Sequence, residues 1–189
     1  DEDLVEETRH HRLEASGLEV RVTIAGAGLD GARDQRATLV ELGEQRLFGR
    51  LLEHARQGRS GRLVGGNLTL IASTMGTPFE IDTTGNILFL EDIDEEVYRV
   101  DRMLTQLALA GKLERAAGIV FGRCSDCGSR NSGFSLEDIL RHHFGSLSVP
   151  AISGLSFGHI ENKLTLPVGV LATLDADRGT LSLDEAAVV

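Results

Sequence analysis

Ile87-Leu88-Phe89-Leu90 is an unbroken apolar run, closed by Glu91-Asp92 and followed by a stretch in which Val97, Val100, Leu104 and Leu107 recur at three- and four-residue spacing. A short run without polar alternation reads as a strand covered on both faces, whereas the second spacing gathers its apolar residues on one stripe of a helix. Asp94 stands near that helix's start and Gly111 just after its end, where helix punctuation belongs. A covered strand leading into an amphipathic helix is the repeating unit of an α/β fold.

The sequence downstream repeats the unit. Gly118-Ile119-Val120-Phe121 predicts a second strand. Ser135-Leu136-Glu137-Asp138 predicts a helix start, because a Ser and a carboxylate three residues on can form a capping box; Leu136, Ile139 and Leu140 would be its buried stripe. Pro150-Ala151-Ile152-Ser153 predicts a third strand, ending in the loop that holds Gly158-His159. Val168, Val170, Ala172 and Leu174 alternate, and with Leu181 and Leu183 they predict a closing hairpin around residues 175–179. Upstream, Gly65-Gly66-Asn67 ends a loop, Asn67 can cap a short helix over residues 68–75, and Gly76 with Pro78 stops it. The first 64 residues are harder to read: a helix is expected over 4–13, a strand over 18–24 and a helix over 37–55. The polar stretch 56–61 is the candidate boundary. The fold expected is α/β, a layered sheet with flanking helices over residues 65–189, preceded by a segment 1–64 of undetermined fold.

Composition narrows the function classes. Nineteen basic residues against 29 acidic ones give a net charge of −10, and the basic residues are dispersed, which argues against nucleic acid as a partner. No apolar run approaches the roughly 20 residues of a membrane helix, and the acidic start Asp1-Glu2-Asp3 lacks the order of an export signal. Cys124 and Cys127 form a single C-x-x-C that could be a redox pair, half a zinc site or two thiols; with no second pair, the thiol reading is preferred and a reducing, cytoplasmic home expected. Gly26-Ala27-Gly28-Leu29-Asp30-Gly31 spells G-x-G-x-x-G, but no acid-ended strand follows at dinucleotide spacing, so it is read as a turn and no cofactor is expected. His142 and His143 adjoin on a helix, where neighbouring side chains diverge, so no shared metal is expected.

Between Gly65 and Gly169 several motifs stand in one order: Gly65-Gly66-Asn67-Leu68, Gly76-Thr77-Pro78, Ile87 to Asp92, Tyr98 to Leu107, Gly158-His159, and Leu166-Pro167-Val168-Gly169. This series resembles the C-terminal domain of the LD-carboxypeptidase and microcin-immunity family of serine peptidases. The resemblance implies a hydrolase that cuts between an L- and a D-residue in cell-wall tetrapeptides, or that detoxifies a peptide-nucleotide antibiotic, through Ser, His and Glu. It makes Glu91 the triad acid, His159 the general base and Gly65, Gly66 and Asn67 the substrate-binding loop, and it implies a peptide substrate and self-association as a dimer. Taken without the resemblance, a Glu at a strand end is commonly a solvated carboxylate and a His in a Gly-rich loop merely exposed; Asp92, Asp94, Glu95 and Glu96 read as helix-start charges.

The family's nucleophilic Ser sits on a tight turn in a separate N-terminal domain. Before Gly65 this sequence has Ser16 and Ser60, neither in a strand-to-helix turn of the kind that exposes a nucleophile. The expectation is a chain with acid and base but no nucleophile, inactive alone and completed by an N-terminal domain or partner chain that supplies Ser. The alternative is a non-catalytic peptide- or protein-binding module that keeps the fold.

Overall fold

The computed structural model describes residues 58–128 and 133–187, together with the backbone of three upstream strands, β1 (Glu19–Ile24), β2 (Ala37–Leu42) and β3 (Arg46–Phe48). The rest follows as β4 (Arg59–Asn67), α1 (Leu68–Thr74), β5 (Ile87–Ile93), α2 (Val97–Leu109), β6 (Gly118–Ser125), α3 (Leu136–Phe144), β7 (Ala151–Ser153), β8 (Leu171–Asp175) and β9 (Thr180–Leu183). The strands lie in the order β1-β2-β9-β8-β4-β5-β6-β7-β3. The fold is α/β, as the sequence predicts.

The four strands β4 to β7 are parallel and adjacent in chain order, joined by α1, α2 and α3. Equal-handed crossovers between successive neighbours place all three helices on one face. Leu88, Leu90, Ile119, Phe121 and Ala151 point to that face and pack with Leu68, Ile71, Val100, Leu104, Leu107, Leu140 and Phe144 of the helices. The alternate residues Ile87, Phe89, Val120 and Ile152 meet Leu155, Phe157, Ala172, Leu174, Leu181 and Leu183 on the other. Both faces of β5 are therefore covered, which is why its sequence shows no polar alternation.

β4 joins two kinds of sheet. Its first half, Arg59 to Arg62, is antiparallel to β8, and its second half, Leu63 to Asn67, is parallel to β5. Gly65 at the centre has φ +150, and a Cβ there would overlap the Phe89 carbonyl oxygen of β5, so only glycine fits.

The helix punctuation is largely as expected. Asn67 Oδ1 accepts from Leu70 N at the start of α1. Ser135 and Asp138 form the capping box of α3, with Ser135 Oγ accepting from Asp138 N at 3.2 Å and Asp138 Oδ2 accepting from Ser135 N at 2.9 Å. The Ser135 hydroxyl also donates to Asp138 Oδ2 at 2.6 Å, and that bond first, with the Ser135 N donation second, holds the Asp138 carboxyl below its usual pKa.

Several expectations need correction. Residues 37–42 and 46–48, expected in a helix over 37–55, are the strands β2 and β3: Thr38 and Val40 are β-branched, and β2 gains ladder partners in β1 and β9. β5 does not close at Glu91-Asp92 but continues through them to Ile93. Val168 is 68% exposed and precedes β8 instead of opening it. β4 itself begins at Arg59 and runs to Asn67. The helix expected over 4–13, Ser16 and the glycines of 26–31 lie outside the described residues.

Candidate functional site

The carboxyl ends of β4, β5, β6 and β7 converge at one edge of the sheet, the place where parallel α/β sheets hold ligands. Glu91 lies on β5 opposite Asn67 of β4. On the other side, the register with β6 slips: Leu90 pairs with Phe121 but Asp92 pairs with Cys124, so two residues of β6, Gly122 and Arg123, stand opposite Glu91. Such a bulge bends the strand and re-aims the side chains around it. Gly122 allows it to close, since a Cβ there would lie 2.6 Å from the Phe157 ring and 2.7 Å from the Phe157 carbonyl.

The loop after β7 packs onto this bulge. Arg123 N donates to Phe157 O at 3.0 Å, Phe157 stacks edge-on against Phe89 at 5.8 Å, and Gly158 follows at φ +115. His159 is thereby delivered to Glu91. His159 Nδ1 stands 2.8 Å from Glu91 Oε2, across 68 residues of sequence. A carboxylate only accepts, so the ring donates through Nδ1, the tautomer that leaves Nε2 as an acceptor. The Glu91 side chain is 10% exposed and that of His159 52%, an imidazole open on one side and backed by a buried acid on the other. That arrangement can take a proton from an approaching hydroxyl and hold the resulting imidazolium.

Residues 60–174, more than half of the chain, match the LD-carboxypeptidase C-terminal domain (Peptidase_S66C). This chain belongs to the LD-carboxypeptidase family. Among its relatives, the probable murein peptide carboxypeptidase of Bacillus subtilis is 45% identical over 126 residues, covering 66% of this chain and 40% of the relative. The microcin C7 self-immunity protein MccF of Escherichia coli is 28% identical over 129 residues, covering 66% of this chain and 37% of MccF. In structure, the muramoyltetrapeptide carboxypeptidase of Oxalobacter formigenes superimposes with a TM-score of 0.63 at 36% identity, over 78% of this chain and 49% of that one. The chain thus spans about two-fifths of the length of the curated family members it matches.

Other residues singled out in the sequence fall in different places. Asn67 adjoins Glu91, but its amide is occupied: Oδ1 caps α1, and Nδ2 donates to Asp92 Oδ1 at 2.9 Å. Gly66, at φ +149 and paired with Leu90 of β5, has nothing within 4 Å of where a Cβ would be. Asp92 is no start charge for α2. It is 2% exposed on the opposite side of β5 from Glu91, where Oδ2 accepts from Thr69 N and Thr69 Oγ1 in the first turn of α1. Ser60 bonds Thr173 Oγ1 at 2.7 Å near the other end of β4. His143 is packed against Asp101 of α2 at 2.8 Å, and its ring meets that of His142 edge-on at 5.1 Å, so the two do not diverge; among the described residues no group of His, Cys, Asp and Glu is placed to hold a metal.

Cys124 and Cys127 are not thiols but a disulfide closing the turn after β6. The pair therefore lends no support to a reducing home. The turn also brings in a residue that the sequence reading passed over: Ser125 Oγ donates to the His159 carbonyl at 2.8 Å. Its signal was position, one residue past the first Cys on the strand beside the His159 loop. No helix among the described residues is long and apolar enough to cross a membrane.

Proposed function

We propose that this chain is the acid- and base-bearing half of a serine carboxypeptidase that releases the terminal D-residue of a murein tetrapeptide. The observation that carries the reading is the 2.8 Å contact between His159 Nδ1 and Glu91 Oε2 at the carboxyl ends of the parallel strands. In this reading a Ser hydroxyl gives its proton to His159 Nε2 as it attacks the L,D-peptide carbonyl, and the imidazolium, stabilised by Glu91, returns the proton to the leaving amine. The strand end Gly65-Gly66-Asn67 is the substrate side: the space beside Gly66, where a side chain would stand, receives the extended peptide, while Asn67 acts by holding α1 and Asp92 in place.

The Ser comes from an N-terminal domain, in the same polypeptide or in a partner chain, because Ser60 is distant and already bonded. The 189-residue chain alone is accordingly nearly inactive. Murein peptide is favoured over a peptide-nucleotide antibiotic because identity to the Bacillus subtilis murein peptide carboxypeptidase, 45%, exceeds that to MccF, 28%. The test combines this chain with the N-terminal domain of the Bacillus subtilis relative and follows D-residue release from a murein tetrapeptide. Release by the pair, and by neither half alone, supports the reading. A folded pair that binds tetrapeptide without cleaving it, with binding unchanged by His159→Ala, would identify a binding module instead.

A further inference from the structure

The turn that ends β6 touches the backbones on both sides of the acid–base contact. Ser125 O accepts from Asp94 N at 2.8 Å, which fastens it to the chain leaving β5 just beyond Glu91. Ser125 Oγ donates to the His159 carbonyl, which fastens it to the base. One residue therefore spans the two segments whose separation sets the Nδ1 to Oε2 distance. It is bracketed by the Cys124–Cys127 disulfide, inside which Asp126 takes φ 56 and Cys127 N reaches Cys124 O at 3.3 Å. A second tie from the same turn, Gly128 O accepting from Val97 N at 3.3 Å, joins it to the start of α2.

The geometry of His159 depends on this tie because the neighbouring backbone is permissive. Gly158, at φ +115, has no Cβ to limit rotation, and His159 is half exposed, so packing alone does not fix the ring. We propose that Ser125 is a positioning residue of the acid–base pair: its hydroxyl holds the His159 backbone so that Nδ1 meets Glu91, and the Cys124–Cys127 disulfide holds the hydroxyl. The proposal rests on the reading of His159 as the base, but its geometric content does not depend on turnover. A dithiol that reduces the disulfide gives two electrons and two protons to the two sulfurs, becomes a disulfide itself, and opens the turn around Ser125.

The experiment measures ring-nitrogen chemical shifts of His159 in the intact chain, labelled at histidine, at a pH where the ring is neutral; His159→Gln assigns the signals. The wild type is expected to show the Nδ1–H tautomer, and Ser125→Ala to move the tautomer ratio toward Nε2–H by roughly tenfold, the worth of one hydrogen bond. Ser125→Thr, which keeps the hydroxyl, restores the wild-type ratio. Should Ser125→Ala fail to fold by circular dichroism, Ser125→Val, which matches the shape of the Thr variant and has no donor, is read the same way. A wild-type tautomer ratio in the folded Ala or Val variant overturns the positioning role, and unchanged His159 shifts after dithiol reduction overturn the part given to the disulfide. Failure of the reconstituted pair to cleave tetrapeptide, with these shifts as expected, would overturn the peptidase reading alone.

Discussion

The Glu91 carboxylate occupies the space into which a side chain at Gly158 would project. A Cβ on Gly158 would lie 2.9 Å from Glu91 Oε2 and 3.1 Å from both Glu91 Cβ and Arg123 O. The glycine before the base is thus fitted against the acid, and its φ of +115 excludes ordinary side chains independently of that contact.

Gly158→Ala should therefore separate the pair without dismantling the sheet. In the reconstituted enzyme kcat/KM is expected to fall by about a hundredfold or more, the scale of an ångström-sized displacement at a reacting group. Steady-state hydrolysis beside a circular dichroism spectrum checks this; a folded variant with undiminished kcat/KM would show that the close approach has no catalytic consequence.

Asp92 gives a structural counterpart. Its carboxylate accepts from Asn67 Nδ2, Ile93 N, Thr69 N and Thr69 Oγ1 while 2% exposed. Asp92→Asn places an amide hydrogen where one of these donors needs an acceptor, at an expected loss of about 2 kcal/mol in urea unfolding. The neighbouring Glu91→Gln, whose group contacts an exposed ring, should cost less stability and more activity.

Gly65→Ala is expected to be among the most destabilising single changes in the domain, at least about 2 kcal/mol, because the new methyl would overlap the Phe89 carbonyl and the backbone would stay at φ +150. Gly66→Ala keeps the φ penalty but meets no atom within 4 Å. It should be the milder of the two in denaturant melts.

The elements legible in the sequence are those whose information is local. The apolar run of β5, the stripe of α2 and the Ser135–Asp138 box each declare themselves within a dozen residues. The upstream strands β2 and β3 did not, because one of the two partners of β2, β9, and the partner of β3, β7, lie more than 100 residues away, and short apolar segments fit either period. The candidate site is long-range in the same sense. Nothing near Glu91 announces His159, and only the order of family motifs singled out the two; their contact depends on the slip in register between β5 and β6. The C-x-x-C was ambiguous for a different reason, since that spacing suits free thiols, metal ligands and a disulfide alike.

One pH effect can be worked out from the Glu80–Lys112 pair. The Lys112 ammonium, 2.6 Å away, is the first cause that holds the Glu80 carboxyl below its ordinary value of 4.5, and Gly76 N donating to Glu80 Oε2 is the second. A carboxyl with a depressed folded-state pKa contributes stability that is complete above the unfolded pKa and is lost as pH falls through the lower folded one. Wild type should therefore lose more stability than Glu80→Gln on acidification from near neutrality to below that window, as thermal melts at the two pH values would show. Equal losses would mean that the pair is not coupled to folding.

The most direct test of the account is a double-mutant cycle on the reconstituted enzyme, reading kcat for tetrapeptide hydrolysis with Glu91→Gln, His159→Ala and both. If the carboxylate acts through the imidazole, Glu91→Gln alone lowers kcat by at least about 10²-fold, His159→Ala by at least about 10⁴-fold, and the double variant is no slower than His159→Ala. Losses that multiply in the double variant, or a His159→Ala enzyme that keeps its rate, would contradict it.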